Sequence, residues 1–570
     1  MRNSQIIIKE LLKNRPKTPA DLDSAKRKIA KKFKVSTLSN VELLKAYHNF
    51  CENQTPHQSP EGEQVPYGAG KHGTGQGIKP DRKIENLLKK KRIRSLSGVA
   101  IVSVLTKPYP CPGKCLYCPT QKGIPKSYLD NEPAVMRAVL NNFDPYLQVK
   151  TRLKSLKLTG HPTDKIELIV IGGTWSYLPK RYQDWFIKRC FTACNSEGRP
   201  AAKKRKMLGQ EQKANEKAKC RIVGITVETR PDFINEKEIK RLRELGVTRV
   251  EMGVQNIYED VLKFNLRGHG KKEVIEATKF LKDAGFKVCY HIMPNLPGSN
   301  IKRDKKMFEE LFKNPDFQPD LLKIYPCAIL KEAPIYKLWK QGKYKPYTER
   351  QLITLLKSAK KKIPYYCRIQ RLTRDIPSPS IVVGPAKISN MRQILAKEAK
   401  EEGWKCKCIR CREVGAEYNP KEKLFLFRQE YEASRGKEIF LSFENKTRTR
   451  LYALLRLRIP TIPACGRRAS ASYCEERPRN GYLFPALGKA AIIREVHTYG
   501  QLHPIGRDQI PTFSPQHKGL GKKLIKEAEK IIKKEFKLNK VAVISGVGAR
   551  NYYRRKLGYK LKDSYMVKNL

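Results

Sequence analysis

From residue 96 to residue 400 the chain alternates short runs of β-branched residues with amphipathic stretches, a rhythm that only stacked βα units on a parallel sheet satisfy. The strand candidates are "GVAIVSVL", "IELIVIGG", "RIVGITVET", "RVEMGVQ", "KVCYHIMP", "LLKIYP" and "YCRIQR". Seven such strands predict a full or partial barrel, whose chemistry gathers at the C-terminal strand ends. Gly172, Gly173, Glu228, Gln255 and His291 all fall at or near those ends. Residues 196 to 220 interrupt the alternation with few apolar residues and read as a basic surface insertion.

The loop after the first strand candidate, "CPGKCLYCP", holds Cys111, Cys115 and Cys118. A zinc ribbon needs a second pair of cysteines and a disulfide needs an even number, whereas a [4Fe-4S] cluster held by three thiolates keeps one iron open for a substrate. Tyr117 precedes the third cysteine. The next strand ends in "GGTW", where Gly172 and Gly173 before Thr174 let backbone approach a ligand closely. Glu228 and Arg230 in "TVETRPD" and Gln255 in "EMGVQ" follow on successive strand ends. A second cysteine group, Cys406, Cys408 and Cys411 in "WKCKCIRCREVG", either holds zinc with a fourth ligand (Cys327, Cys367 or a distant histidine) or consists of buried free thiols.

At about 150 residues per domain, 570 residues make three or four units. The expected division is a basic helical N-terminal region at 1–95, the barrel at 96–400, a cysteine-rich linker at 401–420 and a second α/β unit at 421–570. In that last unit "EIFLSF", "YALLRLR" and "KAAIIREVHTYG" read as antiparallel strands, followed by a long helix opened by "QHKGLGKK". Backbone N–H groups at a helix N-terminus, reached past Gly519 and Gly521, suit a pyrophosphate. The Q-x-x-G-x-G pattern starting at Gln516 resembles the coenzyme A loop of the GNAT acetyltransferases. Asn551, Tyr552 and Tyr553 in "GARNYYRR" match the Asn and Tyr pair of such domains.

Charge narrows the partner. Lysine and arginine number 117 against 55 acidic residues, a formal +62, which points to a polyanion. The basic runs lack an aromatic amphipathic face, and no apolar run approaches the ~20 residues of a membrane span. "IIIKELL" near the start has no cleavage signature, so the fifteen cysteines are expected in a reducing cytoplasm.

The cysteine loop with its strand-end residues resembles the radical S-adenosylmethionine (SAM) superfamily, in which the glycine-rich strand end contacts the methionine amino group. Barrel, cysteine-rich linker and GNAT domain in one chain resemble the catalytic subunit of Elongator, the tRNA uridine acetyltransferase family. The blocks that carry the likeness include "MRAVLNNFDPYLQ", "GITVETRPD", "HIMPNLPG", "REVHTYG" and "VAVISGVGARNYYRRKLGY". The resemblance implies carboxymethylation of the tRNA wobble uridine at C5. In that scheme a deoxyadenosyl radical abstracts hydrogen from the acetyl methyl of acetyl-CoA, the acetyl radical adds to the base, and the thioester is hydrolysed. It also implies that Lys165 contacts acetyl-CoA, that Glu495, Val496, His497, Thr498, Leu520, Gly521, Lys522 and Tyr553 line the acetyl-CoA pocket, and that His497 serves as a base for hydrolysis. The basic segments would then hold the anticodon stem-loop of tRNA, in an enzyme that stands alone. The loop across 457–489 is longer than the family's connection, and its Cys465 and Cys474 have no assigned role. The rival expectation is a GNAT-type protein lysine acetyltransferase.

Overall fold

The computed structural model describes residues 2–14, 16–34, 39–53, 82–89, 97–197, 206–415, 418–460, 483–500, 515–516 and 518–570. Residues 54–81 and 90–96 of the basic N-terminal region, Cys465, Cys474 and most of the 457–489 loop lie outside them. The described residues form two compact units, one of residues 1–95 with 151–163 and one of 96–150 with 164–570.

The larger unit holds two seven-stranded sheets. The first is parallel throughout, in sequence order: β1 Ala100–Leu105, β2 Lys165–Ile171, β3 Arg221–Thr229, β4 Arg249–Gln255, β5 Lys287–Ile292, β6 Leu321–Ile324 and β7 Arg368–Arg371. It does not pair β7 back to β1, so it is a half-barrel. Residues of one parity, among them Val227, Val250, Val288 and Leu322, are wholly buried under the surrounding helices. Those of the other parity are Glu228, Arg249, Glu251, His291 and Lys323, so the concave face is charged.

The second sheet is mixed, in the order β13-β14-β12-β11-β10-β9-β8. Its strands are β8 Phe425–Ala433, β9 Gly436–Glu444, β10 Leu451–Pro460, β11 Ala491–Thr498, β12 Lys540–Val543, β13 Lys560–Lys562 and β14 Tyr565–Asn569. Only β11 and β12 pair in parallel, and the helix Leu520–Lys534 packs its buried leucine and isoleucine face on β9, β10 and β11. This sheet docks on the N-terminal ends of the half-barrel strands through buried ion pairs. Asp320, just before β6, meets Arg494 at 2.5 Å and Arg456 at 3.4 Å, and Asp283 meets Arg458 at 2.6 Å, while Glu438 within the second sheet holds Arg494 at 2.8 Å and Arg458 at 3.0 Å.

The expectation of a basic surface insertion at 196–220 needs correction. Residues 208–215 form a helix, and Asn215 is fully buried. Its amide donates to the Cys220 carbonyl and accepts from Ile222 N–H at 2.8 Å, holding the start of β3. Glu216 then pairs with Arg554 at 2.9 Å, so half of the insertion is a buttress between the sheets.

The smaller unit is helical: Arg2–Lys13, Pro19–Lys32, Asn40–Asn53 and Arg82–Leu88 bury Ile8, Leu11, Leu22, Leu43, Leu44 and Leu88. Thr18 and Asp21 cap the second helix reciprocally, each side chain accepting from the other's backbone N–H.

Candidate active site

The three cysteines of the "CPGKCLYCP" loop follow β1 at the C-terminal mouth of the half-barrel. Gly113 lies between two of them: a Cβ there would stand 3.5 Å from Cys115 Sγ and 3.7 Å from Cys111 Sγ. Lys126 Nζ holds the Gly113 carbonyl at 2.7 Å, and the Arg267 guanidinium approaches Cys115 Sγ at 3.5 Å. Burial and the neighbouring Cys115 push the Cys118 thiol up to about 11, against a hydrogen bond from Ser127. Sulfurs spread around a backbone segment, Cys115 buried and Cys111 and Cys118 half-buried, with Arg267 and Lys126 beside them, fit a thiolate-held cluster, which carries negative charge into the loop.

The other strand-end residues ring the same mouth. Gly172 and Gly173 have φ of 128° and 101°, and a Cβ on Gly172 would stand 2.1 Å from Thr106 Oγ1, so no other residue fits there. Thr174 follows at the start of a short turn, Trp175–Tyr177. Arg230 grips Asp232 with two bonds of 2.9 and 2.8 Å and reaches the Gly113 backbone. Gln255 sits at φ 70°, and its buried Oε1 has no hydrogen-bond partner, as is also true of the Tyr117 hydroxyl. Such orphaned groups mark places where a ligand is accommodated. Glu228 accepts from Tyr128 at 2.8 Å. Glu228, Glu251 and His291 come together closely enough to ligate a metal ion, but Lys323 supplies the cation: its ammonium pairs with Glu251 and lies 3.6 Å from Glu228. Burial would raise the Glu251 carboxyl, yet Lys323, His291 and Arg249 hold it well below the usual range.

The residues expected to meet acetyl-CoA gather at the opposite, N-terminal end. Lys165 Nζ donates to Gln516 Oε1 at 3.1 Å, joining β2 to the Q-x-x-G-x-G segment. Burial draws the Lys165 ammonium down to about 8, against nearby Asp164. Gly519, at φ 79°, caps the helix that Leu520 and Gly521 begin, with Lys522 exposed on it. Val496, Thr498 and the Tyr552 hydroxyl all come within 4.0 Å of a Cβ placed on Gly521. His497 Nε2 lies 2.6 Å from the Ser97 carbonyl, which only accepts, so that nitrogen carries the proton and Nδ1 is the acceptor in the neutral ring. Burial lowers the His497 pKa despite Glu495 nearby. Glu495 is engaged by Lys287 at 3.2 Å and Arg456 at 2.9 Å. Two residues turn elsewhere: the Asn551 amide donates to the Glu216 carbonyl, and Tyr553 is buried between Tyr552 and Tyr559.

Cys406, Cys408 and Cys411 bring their sulfurs within 4.8 Å of one another, the convergence a single tetrahedral ion requires. Lys360 Nζ stands 3.5 Å from Cys411 Sγ. Of the fourth ligands expected, Cys327 packs instead near Tyr117 and Tyr344 at the mouth. Cys367 is nearer, its carbonyl accepting from Ile409 N–H, but among the described residues no fourth ligand completes the group.

Sequence reasoning missed Arg267, Lys126, Thr106 and Lys323. Arg267 lies 152 positions from Cys115, and no spacing rule links them; the one legible sign was a basic residue between "NL" and "GHG" in a loop after β4.

Comparison with known proteins agrees with this geometry. Residues 109–311 match the model of the Radical SAM superfamily and residues 319–401 that of the Radical SAM C-terminal domain. The half-barrel and its cysteine loop are thus those of a radical SAM protein. The tRNA uridine(34) acetyltransferase of Methanocaldococcus infernus is 46% identical over 496 residues, covering 85% of this chain and 88% of that protein. The human Elongator complex protein 3 is 39% identical over 85% of this chain and 86% of its own length. The solved archaeal Methanocaldococcus infernus Elp3 with an N-terminus deletion superposes with a TM-score of 0.70 at 43% identity, covering 84% of this chain and 100% of that one. The chain belongs to the family of these relatives, the tRNA uridine(34) acetyltransferases and Elongator complex protein 3. Among the described residues no helix is long and apolar enough to cross a membrane.

Proposed function

We propose that this chain modifies the wobble uridine of tRNA, building a carboxymethyl group on C5 from acetyl-CoA, as a stand-alone cytoplasmic enzyme. The observation that carries the reading is the Lys165–Gln516 hydrogen bond, because it joins the radical SAM half-barrel directly to the coenzyme A-type loop. A protein lysine acetyltransferase would need the second sheet alone.

In this reading Cys111, Cys115 and Cys118 hold a [4Fe-4S] cluster, and Arg267 offsets its charge. The backbone of Gly172, Gly173 and Thr174, with Glu228, Arg230 and Gln255, cradles SAM. Cluster and SAM, when bound, supply one-electron chemistry that makes a carbon radical. The residues of this chain position and exchange protons. Lys165 and Gln516 hold the acetyl-CoA arm. Gly519, Leu520, Gly521 and Lys522 present N–H groups and charge to the pyrophosphate, while Glu495, Val496, Thr498 and Tyr552 shape the pocket, with Asn551 and Tyr553 supporting it from behind. His497, with Nδ1 as acceptor, takes the proton from the water that hydrolyses the thioester. The division at 95, 400 and 420 assigns the N-terminal helices to the anticodon stem-loop and the linker to a zinc ion held by Cys406, Cys408 and Cys411.

The test is anaerobic reaction of reconstituted protein with tRNA transcript, SAM, reductant and carbon-labelled acetyl-CoA, read by nucleoside mass spectrometry. Label in a carboxymethyl-type uridine, lost in Cys115→Ala, is expected. Unmodified tRNA with acetylated protein lysines would overturn the reading.

A further inference from the structure

The two halves of the proposed site lie at opposite ends of the same strands, and the space between them is polar. On β2 the residues Lys165, Glu167, Ile169 and Ile171 share one face, which leads from the Gln516 contact to the Gly172–Gly173 pair over seven residues, or roughly 23 Å at ~3.3 Å per residue. The register sets further inward-facing residues beside that column: Thr226 pairs with Arg249 and Arg249 with Lys287, then Glu228 with Glu251. Arg249 lies across the lumen, 2.5 Å from Glu167 on one side and 3.4 Å from Glu251 on the other. Glu167 and Glu228, nearer the two ends, are 17% and 14% exposed, whereas Arg249, at the level between them, is 5% exposed and Glu251, level with Glu228, is 0%. The middle of the lumen also gathers orphaned polar atoms. Thr226 Oγ1 and Arg249 Nη2 are buried and carry no hydrogen bond, and Glu251 Oε1 has only its 3.4 Å ion pair with Arg249 Nε. Buried donors and acceptors left without a hydrogen bond cost about 1–3 kcal/mol each, so a fold that keeps two of them beside a carboxylate oxygen held by an ion pair alone provides for a polar guest.

We propose that the lumen of the half-barrel is a passage for an amide-bearing thioester arm, entering past Lys165 and reaching the glycine pair at the cysteine-loop end, with Arg249 as the group that must swing aside. This rests on the reading that acetyl-CoA is the carbon donor. The chemistry of the guest follows from these groups: once Arg249 swings aside, a secondary amide donates N–H to Glu251 Oε1, and its carbonyl accepts from Arg249 Nη2 or Thr226 Oγ1. A thioester on the far side of those amides stands at the mouth where the cysteine loop lies.

The passage is tested on the full-length holoenzyme, without reductant, using a coenzyme A thioester whose short acyl group carries a diazirine. After irradiation, the labelled peptides are mapped by mass spectrometry, with and without excess acetyl-CoA. Label on β3 or β4, competed by acetyl-CoA, is expected, and Thr226→Trp should remove it from β4 while label near Gly519 persists. Ile169→Phe, which narrows the same lumen, serves if the tryptophan variant does not fold. Competed label confined to β11 and the Gly519 segment, or a β4 label unchanged in the blocked variant, would overturn the passage and leave the acetyl-CoA reading standing. No competed label anywhere would remove that reading, and the passage with it.

Discussion

The two ends of the half-barrel use the same seven strands in opposite ways. At the N-terminal end the charges meet counter-charges from another part of the chain along a seam: Asp320 pairs with Arg494 and Arg456 of the second sheet and Asp283 with Arg458, and Glu438 of that sheet holds Arg494 and Arg458 in place. The C-terminal end is left unfinished: Gln255 Oε1 and Tyr117 OH have no partner, and Gly172, Gly173 and Gln255 all have positive φ. The contrast teaches where the sheet is assembled and where it is open to ligands. At the seam the atoms without a hydrogen bond, such as Arg456 Nη1 and Arg494 Nε, belong to guanidiniums already held through their other nitrogens, whereas the orphaned oxygens at the mouth are left for a ligand.

Breaking the seam should have the largest effect on the protein. Burial would raise the Asp320 carboxyl, but Arg494, Lys282 and Arg456 hold it well below the usual range. Asp320→Ala leaves those cations facing an empty site, for a loss of about 3–5 kcal/mol seen as a lowered urea midpoint. The pH dependence has a definite sign. A carboxylate with depressed folded-state pKa stabilises above its unfolded value of about 3.9, and that stability is lost as pH falls below it. The variant should therefore show a flatter acid limb than the wild type. A loss no larger than the ~0.5 kcal/mol of an ordinary surface change would mean that the seam does not hold the ends apart in kind.

Much of the half-barrel was legible because strands covered on both faces concentrate β-branched residues, and every one of its seven strands stood out as such a run. The cysteine triplets were legible because ligand spacing is local. The missed elements share a different property. β8, "FLFRQEYEA", is an edge strand whose burial alternates between partial and exposed, and β13, "KLK", is exposed throughout, so neither carries an apolar run. The seam pair Asp320–Arg494 and the Arg267–Cys115 contact join residues 174 and 152 positions apart, and each charged partner alone reads as one more charge in a highly charged chain. Asn215 was hidden the same way, its buried amide surrounded in sequence by lysines.

Lys165 sharpens the comparison, since it sits at the assembled end but carries a charge shared with an uncharged amide rather than a carboxylate. Lys165→Met should weaken acetyl-CoA binding about 10- to 100-fold, the loss of a charged hydrogen bond worth ~1.5–3 kcal/mol. Because the ammonium loses its proton near pH 8, wild-type affinity should fall as pH rises through about 8, and the methionine variant should show no such step. Equilibrium binding across pH 6.5 to 9.5, a range of roughly 1.5 units either side of that midpoint, checks both. A step that survives in the variant would assign it to another group.

The smallest expected effect separates the two ends most cleanly. Gln255 occupies the left-handed region at φ 70°, a conformation that costs a residue with a side chain about 1–2 kcal/mol. Replacing it by glycine removes that strain but adds unfolded-state entropy of ~0.5–1 kcal/mol, so Gln255→Gly should leave stability unchanged or raise it by up to about 1 kcal/mol. The same change deletes the amide whose Oε1 is orphaned, and if that oxygen serves a ligand, SAM affinity should fall about 2- to 10-fold, the range of a neutral hydrogen bond at ~0.5–1.5 kcal/mol. Asparagine tolerates the left-handed region and keeps an amide one carbon shorter, so Gln255→Asn should fall between the two in affinity. Thermal melting and equilibrium dialysis of SAM read the two quantities separately. Stability that drops in the glycine variant while SAM binding is untouched would show that packing holds Gln255 in its strained conformation, and the mouth would then be as finished as the seam.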